Sequence, residues 1–199
     1  MGTANGSIVA RLVVFGVAFC THAAVIDRVA VVVGNQVITE TEVADEVRLT
    51  AFLNQQTLDL GPEQRRAAAD RLVDQQLIRN EMQLGSYAAP AESEVESTLR
   101  NFRQEHFNSI SRYRAALQKY GITEEQLKEH LMWQLAALRF TDIRFRAAAA
   151  LPPSNGQTAN RLQSEGEATS ASTVDQQMET WLKEARGQTR VEFKKEAFQ

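Results

Sequence analysis

The sequence predicts a mainly α-helical protein, a bundle of about five to six helices with a small β-ribbon formed by an N-terminal hairpin and a C-terminal strand. Apolar residues recur at helical spacing through most of the chain, and Thr, Pro and Gly signals separate these segments. Stretches that are rich in valine, or in which apolar and polar residues alternate, occur only near the two ends of the chain. With 199 residues, 43% of them hydrophobic, the chain is long enough for one domain with a core.

Two short apolar stretches, residues 26–33 and 36–38, predict the N-terminal hairpin. Gly34 and Asn35 lie between them, and both residue types tolerate positive φ, which a two-residue hairpin turn requires. Two strands alone are marginally stable in water. We therefore expect a further strand or a helical cover for this ribbon.

The first two helices have clear start and stop signals. Thr39 followed by Glu42 forms a capping box, in which each side chain satisfies an amide of the first helical turn. Residues 54–62 form a loop. A second helix is predicted over residues 63–84, with Gly85 as its end.

Three more helices follow. One begins after Pro90, and a shorter one covers residues 109–120 before a glycine. The clearest start signal is the capping box of Thr123 and Gln126. This fifth helix continues to about residue 145 and is apolar on much of its circumference, so it is either a central buried helix or one with a face left for a partner.

The amino-acid composition changes after the helical body, which we place at residues 25–150. Residues 151–172 contain almost no side chains able to form a core, and they predict a flexible linker. A capping box of Thr173 and Gln176 then starts a last helix within residues 173–199. Its apolar stripe and the alternating strand after it predict that this segment packs back on the body, with structural contacts from Trp181, Leu182, Val191 and Phe193.

The N-terminus resembles an export signal. Arg11 precedes a short apolar segment, residues 12–20, and the small residues Ala23 and Ala24 follow. This order is typical of a cleaved signal peptide. We expect residues 1–24 to be the signal peptide and the mature protein to be secreted through the inner membrane into the periplasm.

Two alternatives to a cleaved signal peptide are less favoured. A transmembrane anchor needs about 20 apolar residues, and polar residues interrupt this segment sooner. A lipidated Cys20 would need a small residue before it, and Phe19 is bulky. Cys20 is the single cysteine, so an internal disulfide and a multi-cysteine metal site are both excluded.

The composition excludes several functional classes. The formal net charge is -3, and no basic run provides the phosphate-neutralising surface that duplex nucleic acid requires. No glycine-rich phosphate loop and no nucleophile elbow occurs, so neither a nucleotide nor a cofactor is predicted.

Histidines and acidic pairs give no catalytic or metal site. His106 and His130 have no second ligand three or four residues away, so both are interpreted as solvated or capping residues. Acidic pairs at 92/94 and 124/125 stand in predicted first turns, where they complement the helix dipole. We assign no catalytic residue.

Aromatic and methionine side chains are the remaining candidates for a site. Individually, such residues at helical spacing belong to a core more often than to a site. The functional interpretation is that some line an apolar groove for unfolded polypeptide, since Met and aromatic rings contact varied sequences. The candidates are Phe102, Phe107, Tyr113, Tyr120, Met132, Trp133 and Phe140.

The order of these parts resembles the SurA-type periplasmic chaperones. Residues 25–43 are similar to the opening of the mature family members, and residues 72–78 resemble their second helix. Residues 113–145 are similar to the closing helices, and residues 181–193 to the C-terminal helix and strand. The family carries one or two parvulin-type isomerase domains where this chain has only the predicted linker, so isomerase activity is not inferred.

The resemblance implies an ATP-independent holdase that binds unfolded polypeptides, with outer-membrane β-barrel precursors as clients. Two other hypotheses stay open at this point. An envelope adaptor would bind one folded partner through the same groove, and a parvulin-type prolyl isomerase would need a catalytic domain that the sequence does not show.

Overall fold

The computed structural model describes residues 27–85, 87–146 and 165–199. The predicted signal peptide and most of the predicted linker lie outside these residues. The elements in chain order are β1 (Val29–Val33), β2 (Gln36–Thr39), α1 (Glu40–Leu53), α2 (Pro62–Leu84), α3 (Glu92–His106), α4 (Ile110–Tyr120), α5 (Glu124–Thr141), a π-helical turn (Asp142–Arg146), α6 (Glu165–Gln188), β3 (Val191–Phe193) and a 3-10 turn (Lys195–Phe198).

The three strands form one antiparallel sheet in the order β2-β1-β3. Gly34 has a φ of 59° in the hairpin turn, and its amide donates to the carbonyl of Arg190 at 2.8 Å. Val31 pairs with Phe193 and Val33 with Val191. The sheet that joins the N-terminal hairpin to the C-terminal strand therefore confirms the predicted ribbon and the mainly helical fold.

Capping side chains start α1 and α5 where the sequence predicts. The Thr39 amide donates to Oε2 of Glu42 at 2.7 Å, and the Glu42 amide donates to Oγ1 of Thr39. The Thr123 amide donates to Oε1 of Gln126 at 2.9 Å, and the reciprocal bond is present. Both capping boxes satisfy amides that a helix start would otherwise leave free.

Helix α5 links two apolar clusters. Leu127 and Leu131 belong to a cluster with α1, α3 and α4, whereas Phe140 belongs to another with α2 and α6. The sheet packs on α1 and α2 in a third cluster, which includes Val33 and Val73. Helix α5 therefore contributes to two cores, and both of the alternatives that its apolar circumference predicts stay open at this point.

The start of α6 corrects the prediction at Thr173. The helix begins at Glu165, within the stretch predicted as linker. A lack of apolar residues removes the periodic pattern by which an amphipathic helix is predicted, but it does not prevent a packed helix from extending further. Arg186 of α6 donates to Asp74 Oδ1 at 2.7 Å and to the Asp70 carbonyl at 2.9 Å, which holds α6 against α2.

Candidate functional site

An open and mostly apolar cleft lies between the C-terminal end of α2, the segment that follows it and the middle of α5. Its volume is about 540 Å³. Two methionines and two aromatic rings line it, and exposed polar side chains complete it. We call it the α2–α5 cleft; its lining is Arg79, Met82, Gln83, Tyr87, Ala89, Pro90, Glu129, Met132, Trp133 and Ala136.

The wall of the cleft after α2 depends on Gly85 and Tyr87. Gly85 ends α2, and a Cβ atom at this position would collide with the ring of Tyr87. The Tyr87 amide donates to the Met82 carbonyl at 3.3 Å. Its ring packs against fully buried Phe140, with the centroids 5.2 Å apart. A core residue of α5 therefore fixes the position of an aromatic ring in the cleft.

Arg139 ties the same wall to α5 and α3. Its Nη1 donates to the carbonyl of Ala89 at 3.1 Å, and its Nη2 donates to both carboxylate oxygens of Glu94, at 2.7 and 2.5 Å. The segment that carries Tyr87 and Pro90 is thus held at both ends.

A cation lies over the largest ring of the cleft. The guanidinium carbon of Arg79 is 4.9 Å from the centre of the Trp133 ring, which is within the range of a cation–π interaction. The cleft therefore combines adaptable apolar surface with one positive and one negative exposed side chain, from Arg79 and Glu129.

A polar cluster lies on the other side of Trp133, in a smaller pocket of about 290 Å³. Glu46 is the one charged side chain that is buried in the part of the chain the structure describes. Arg71 Nε donates to Glu46 Oε1 at 3.1 Å, and the Thr50 hydroxyl donates to the same oxygen at 3.3 Å. These two donors satisfy the hydrogen-bonding capacity of a buried carboxylate oxygen, which would otherwise be costly to bury.

His130 faces this cluster and corrects its interpretation as a solvated or capping residue. Its side chain is 10% exposed, its Nδ1 is 3.7 Å from Glu46 Oε2, and its Nε2 is 3.1 Å from the Gln134 amide nitrogen. Burial lowers the pKa of His130, and Arg71 and Arg79 lower it further, whereas Glu46 opposes them. The helical pattern could not show this contact because Glu46 lies on α1, far away in the sequence.

No group of three or more metal-ligating side chains occurs among the described residues. The acidic pairs stand in the first turns of α3 and α5 as predicted, and they pair with cations: Glu94 with Arg139, and Glu124 with Arg103 at 3.8 Å.

Comparison with known proteins decides the family. Residues 3–140 match the SurA-like N-terminal domain. The chain belongs to this family. A search of the curated proteins finds no significant match.

Membership in the SurA-like family supports a chaperone-like role and polypeptide binding, and the family is periplasmic. Its domain is a non-catalytic chaperone-type domain. In the described ranges, the structure has no helix long and apolar enough to cross a membrane. The match covers the hairpin and α1 to α5, which include every residue that lines the α2–α5 cleft.

Four of the seven predicted groove residues lie in an aromatic cluster of this SurA-like domain, and two of them, Phe107 and Tyr113, also line a recess of about 220 Å³. The ring of Phe52 stands at the centre, with Phe102, Phe107, Tyr113 and Tyr120 at centroid distances of 5.6, 5.8, 6.4 and 5.6 Å. We call it the Phe52 cluster. Tyr113 and Tyr120 are buried, and burial raises the pKa of Tyr113.

The other predicted residues divide between the cleft and the core. Met132 and Trp133 line the cleft, whereas Phe140 is completely buried between Tyr87 and Trp181. Binding of polypeptide by all seven residues stays a prediction, and the proposal below retains it for Met132 and Trp133. The four predicted structural residues pack against two different cores. Trp181 and Leu182 pack against the core that contains Phe140, and Val191 and Phe193 pack against the core between the sheet and helices α1 and α2.

Sequence reasoning missed Met82, Tyr87 and Ala136 as site residues. Met82 lies on a helix whose apolar residues are expected in a core, and Tyr87 lies in a connecting segment without periodicity. Ala136 leaves room in the cleft because it is small, a property that no pattern of large apolar residues can reveal. The sequence signal that could have pointed to Tyr87 is its position between the helix end at Gly85 and the helix start after Pro90.

Proposed function

We propose that this protein is an ATP-independent periplasmic holdase chaperone that binds unfolded polypeptides through the α2–α5 cleft. Outer-membrane β-barrel precursors are the proposed clients. The observation that carries the proposal is an open cleft of about 540 Å³ lined by Met82, Tyr87, Met132 and Trp133 in a SurA-like domain.

The chemistry of the cleft supports a promiscuous binder. Methionine side chains adapt their shape, and aromatic rings offer large contact areas with little conformational entropy to lose. Neither demands one partner sequence, so many apolar segments can bind weakly and exchange. Such binding needs no nucleotide, because release follows from modest affinity.

The proposed domain arrangement follows the same family. We infer a cleaved signal peptide over residues 1–24, a chaperone body over 25–150, a linker within 151–172 and a C-terminal segment that packs on the body. Support comes from the contacts of α6 and β3. Mass spectrometry of the exported protein should give a start near Ala24 or Val25, and a retained Met1 in a membrane fraction would contradict the cleavage.

The test is suppression of aggregation. A urea-unfolded outer-membrane protein is diluted with or without the full chain, and light scattering is followed. We expect suppression without ATP and its loss in Met132→Gln, which places a polar group in the cleft. The matched control is Leu138→Gln on the same helix, where the side chain is 62% exposed and outside the cleft.

A steric variant separates the cleft from apolar surface in general. Ala136→Met fills the cleft without adding polarity, and we expect it to weaken suppression as Met132→Gln does. Equal suppression by the wild type and both cleft variants, all folded by circular dichroism, would overturn the proposal. Binding of one folded partner at fixed stoichiometry, without suppression, would indicate the adaptor instead.

A further inference from the structure

The outward face of α4 is cationic and carries no acid. Arg112, Arg114 and Lys119 are exposed, and the helix contains no acidic residue. Every other α-helix in the described ranges contains carboxylates. From Arg100 to Lys119 the chain has five basic residues and one acidic residue, although its formal net charge is -3. A local excess of positive charge thus lies between the C-terminal half of α3 and the end of α4.

A recess of about 220 Å³ lies where α3 meets the start of α4. Arg100 and Arg103 line it, together with Ile110, whose side chain is 52% exposed. A guanidinium group presents parallel N–H donors that match the geometry of a phosphate. The recess therefore places phosphate-binding groups beside an exposed aliphatic side chain.

Nearby carboxylates compensate only part of this charge, chiefly that of Arg103. Glu96 is paired with Lys128 at 2.6 Å, and Glu124 is 3.8 Å from Arg103. Among the residues that the structure describes, neither Arg112 nor Arg114 forms an ion pair within 4.0 Å.

We propose that this basic surface, formed by Arg100, Arg103, Ile110, Arg112, Arg114 and Lys119, docks the protein on an anionic phospholipid membrane. The cations contact lipid phosphates and Ile110 enters the headgroup region. The exposed side of a single helix is convex and fits a flat lipid surface better than a peptide, which needs a groove. This docking does not depend on the α2–α5 cleft.

Binding should be weak and sensitive to salt. Each basic residue near an anionic membrane strengthens binding about fivefold, and salt screens charges beyond a Debye length of about 8 Å at physiological ionic strength. A protein with net negative charge can bind such a surface only through a localised basic region, so its orientation is fixed.

The test is co-sedimentation of the folded protein with vesicles. Phosphatidylcholine vesicles are compared with vesicles that also contain phosphatidylglycerol, at low and physiological salt. We expect binding only to the anionic vesicles and about 100-fold weaker binding by the triple variant Arg112→Gln, Arg114→Gln, Lys119→Gln. A matched triple variant, Arg28→Gln, Lys183→Gln, Lys195→Gln, removes the same charge from exposed sites elsewhere and should bind as the wild type does.

Three outcomes would overturn the proposal. If the two triple variants lost the same share of vesicle binding, the effect would come from net charge and not from a docking surface. Binding to an acidic polypeptide such as polyglutamate, without binding to vesicles, would identify a protein partner. Equal binding to neutral and anionic vesicles would exclude recognition of the lipid charge. Thermal melting of each variant confirms that the compared proteins are folded.

Discussion

The Phe52 cluster and the α2–α5 cleft contain the same kinds of side chain. The rings of the cluster pack around a buried centre, whereas the side chains of the cleft border an open space. In the Phe52 cluster, rings from α1, α3 and α4 meet, and Tyr120 donates its hydroxyl to the Gln56 carbonyl at 2.6 Å. In the cleft, Met132 and Trp133 face a gap that the small side chain of Ala136 leaves open. Residue type alone therefore does not separate a core from a binding surface; whether the side chains of the neighbouring elements fill the space between them does.

The largest expected effect is on the stability of the Phe52 cluster. Phe52→Ala removes the ring that contacts four others, and we expect it to lower the free energy of unfolding by about 3–5 kcal/mol. Urea unfolding measures this loss. Client affinity per folded molecule should not change, and a selective loss of affinity at full stability would place the binding site in the Phe52 cluster.

Trp181→Ala should have the next largest effect. Trp181 is half-buried against Phe140 and Phe145, at centroid distances of 5.4 and 6.4 Å. We expect a loss of about 2–3 kcal/mol, less than for a fully buried ring. Since Phe140 also supports Tyr87, affinity for clients should fall too. An unchanged melting temperature would show that α6 does not contribute to the body.

The helices and their order could be predicted because the signals are local. The capping box of Thr123 lies within four residues, and the apolar face of α5 lies within five turns. Which apolar face stays uncovered depends on contacts between distant segments, such as Tyr120 with Gln56 and Tyr87 with Phe140. For this reason the sequence placed Met132 and Trp133 among the candidates but could not separate them from Tyr113.

The buried histidine beside Trp133 predicts a dependence on pH. The pKa of His130 is lowered in the folded protein, mainly by burial, so the unfolded chain binds the proton more tightly. Stability should be full above about pH 6.5, the ordinary pKa of histidine, and should fall as the pH drops below that value towards the folded pKa.

Urea unfolding at pH 7.5 and 5.5 tests this prediction against His130→Gln. The stability difference between the two pH values should be larger in the wild type. A larger difference in the variant would show that Glu46 raises the histidine pKa above its ordinary value. The exposed His106 is present in both proteins and serves as an internal control.

The smallest effect on stability is expected for Arg139→Gln. Its ion pair with Glu94 is partly exposed, with 37% and 45% of the two side chains accessible, so the loss should stay below about 1 kcal/mol. Client affinity should nevertheless fall several-fold, since the Ala89 carbonyl loses its donor and the cleft wall loosens. Titration of a fluorescent client peptide measures this change, and unchanged affinity would remove Arg139 from the account of the cleft.

Site-specific photo-crosslinking tests most directly whether the cleft, and not the Phe52 cluster, receives the client. A photoreactive residue replaces Gln83, which lines the cleft, or Asn101, which is exposed on α3 next to Phe102. Both proteins are mixed with an unfolded outer-membrane protein and irradiated. We expect a strong crosslink from position 83 and little from position 101. Equal crosslinking at both positions, or a stronger product from position 101, would contradict the assignment of the cleft.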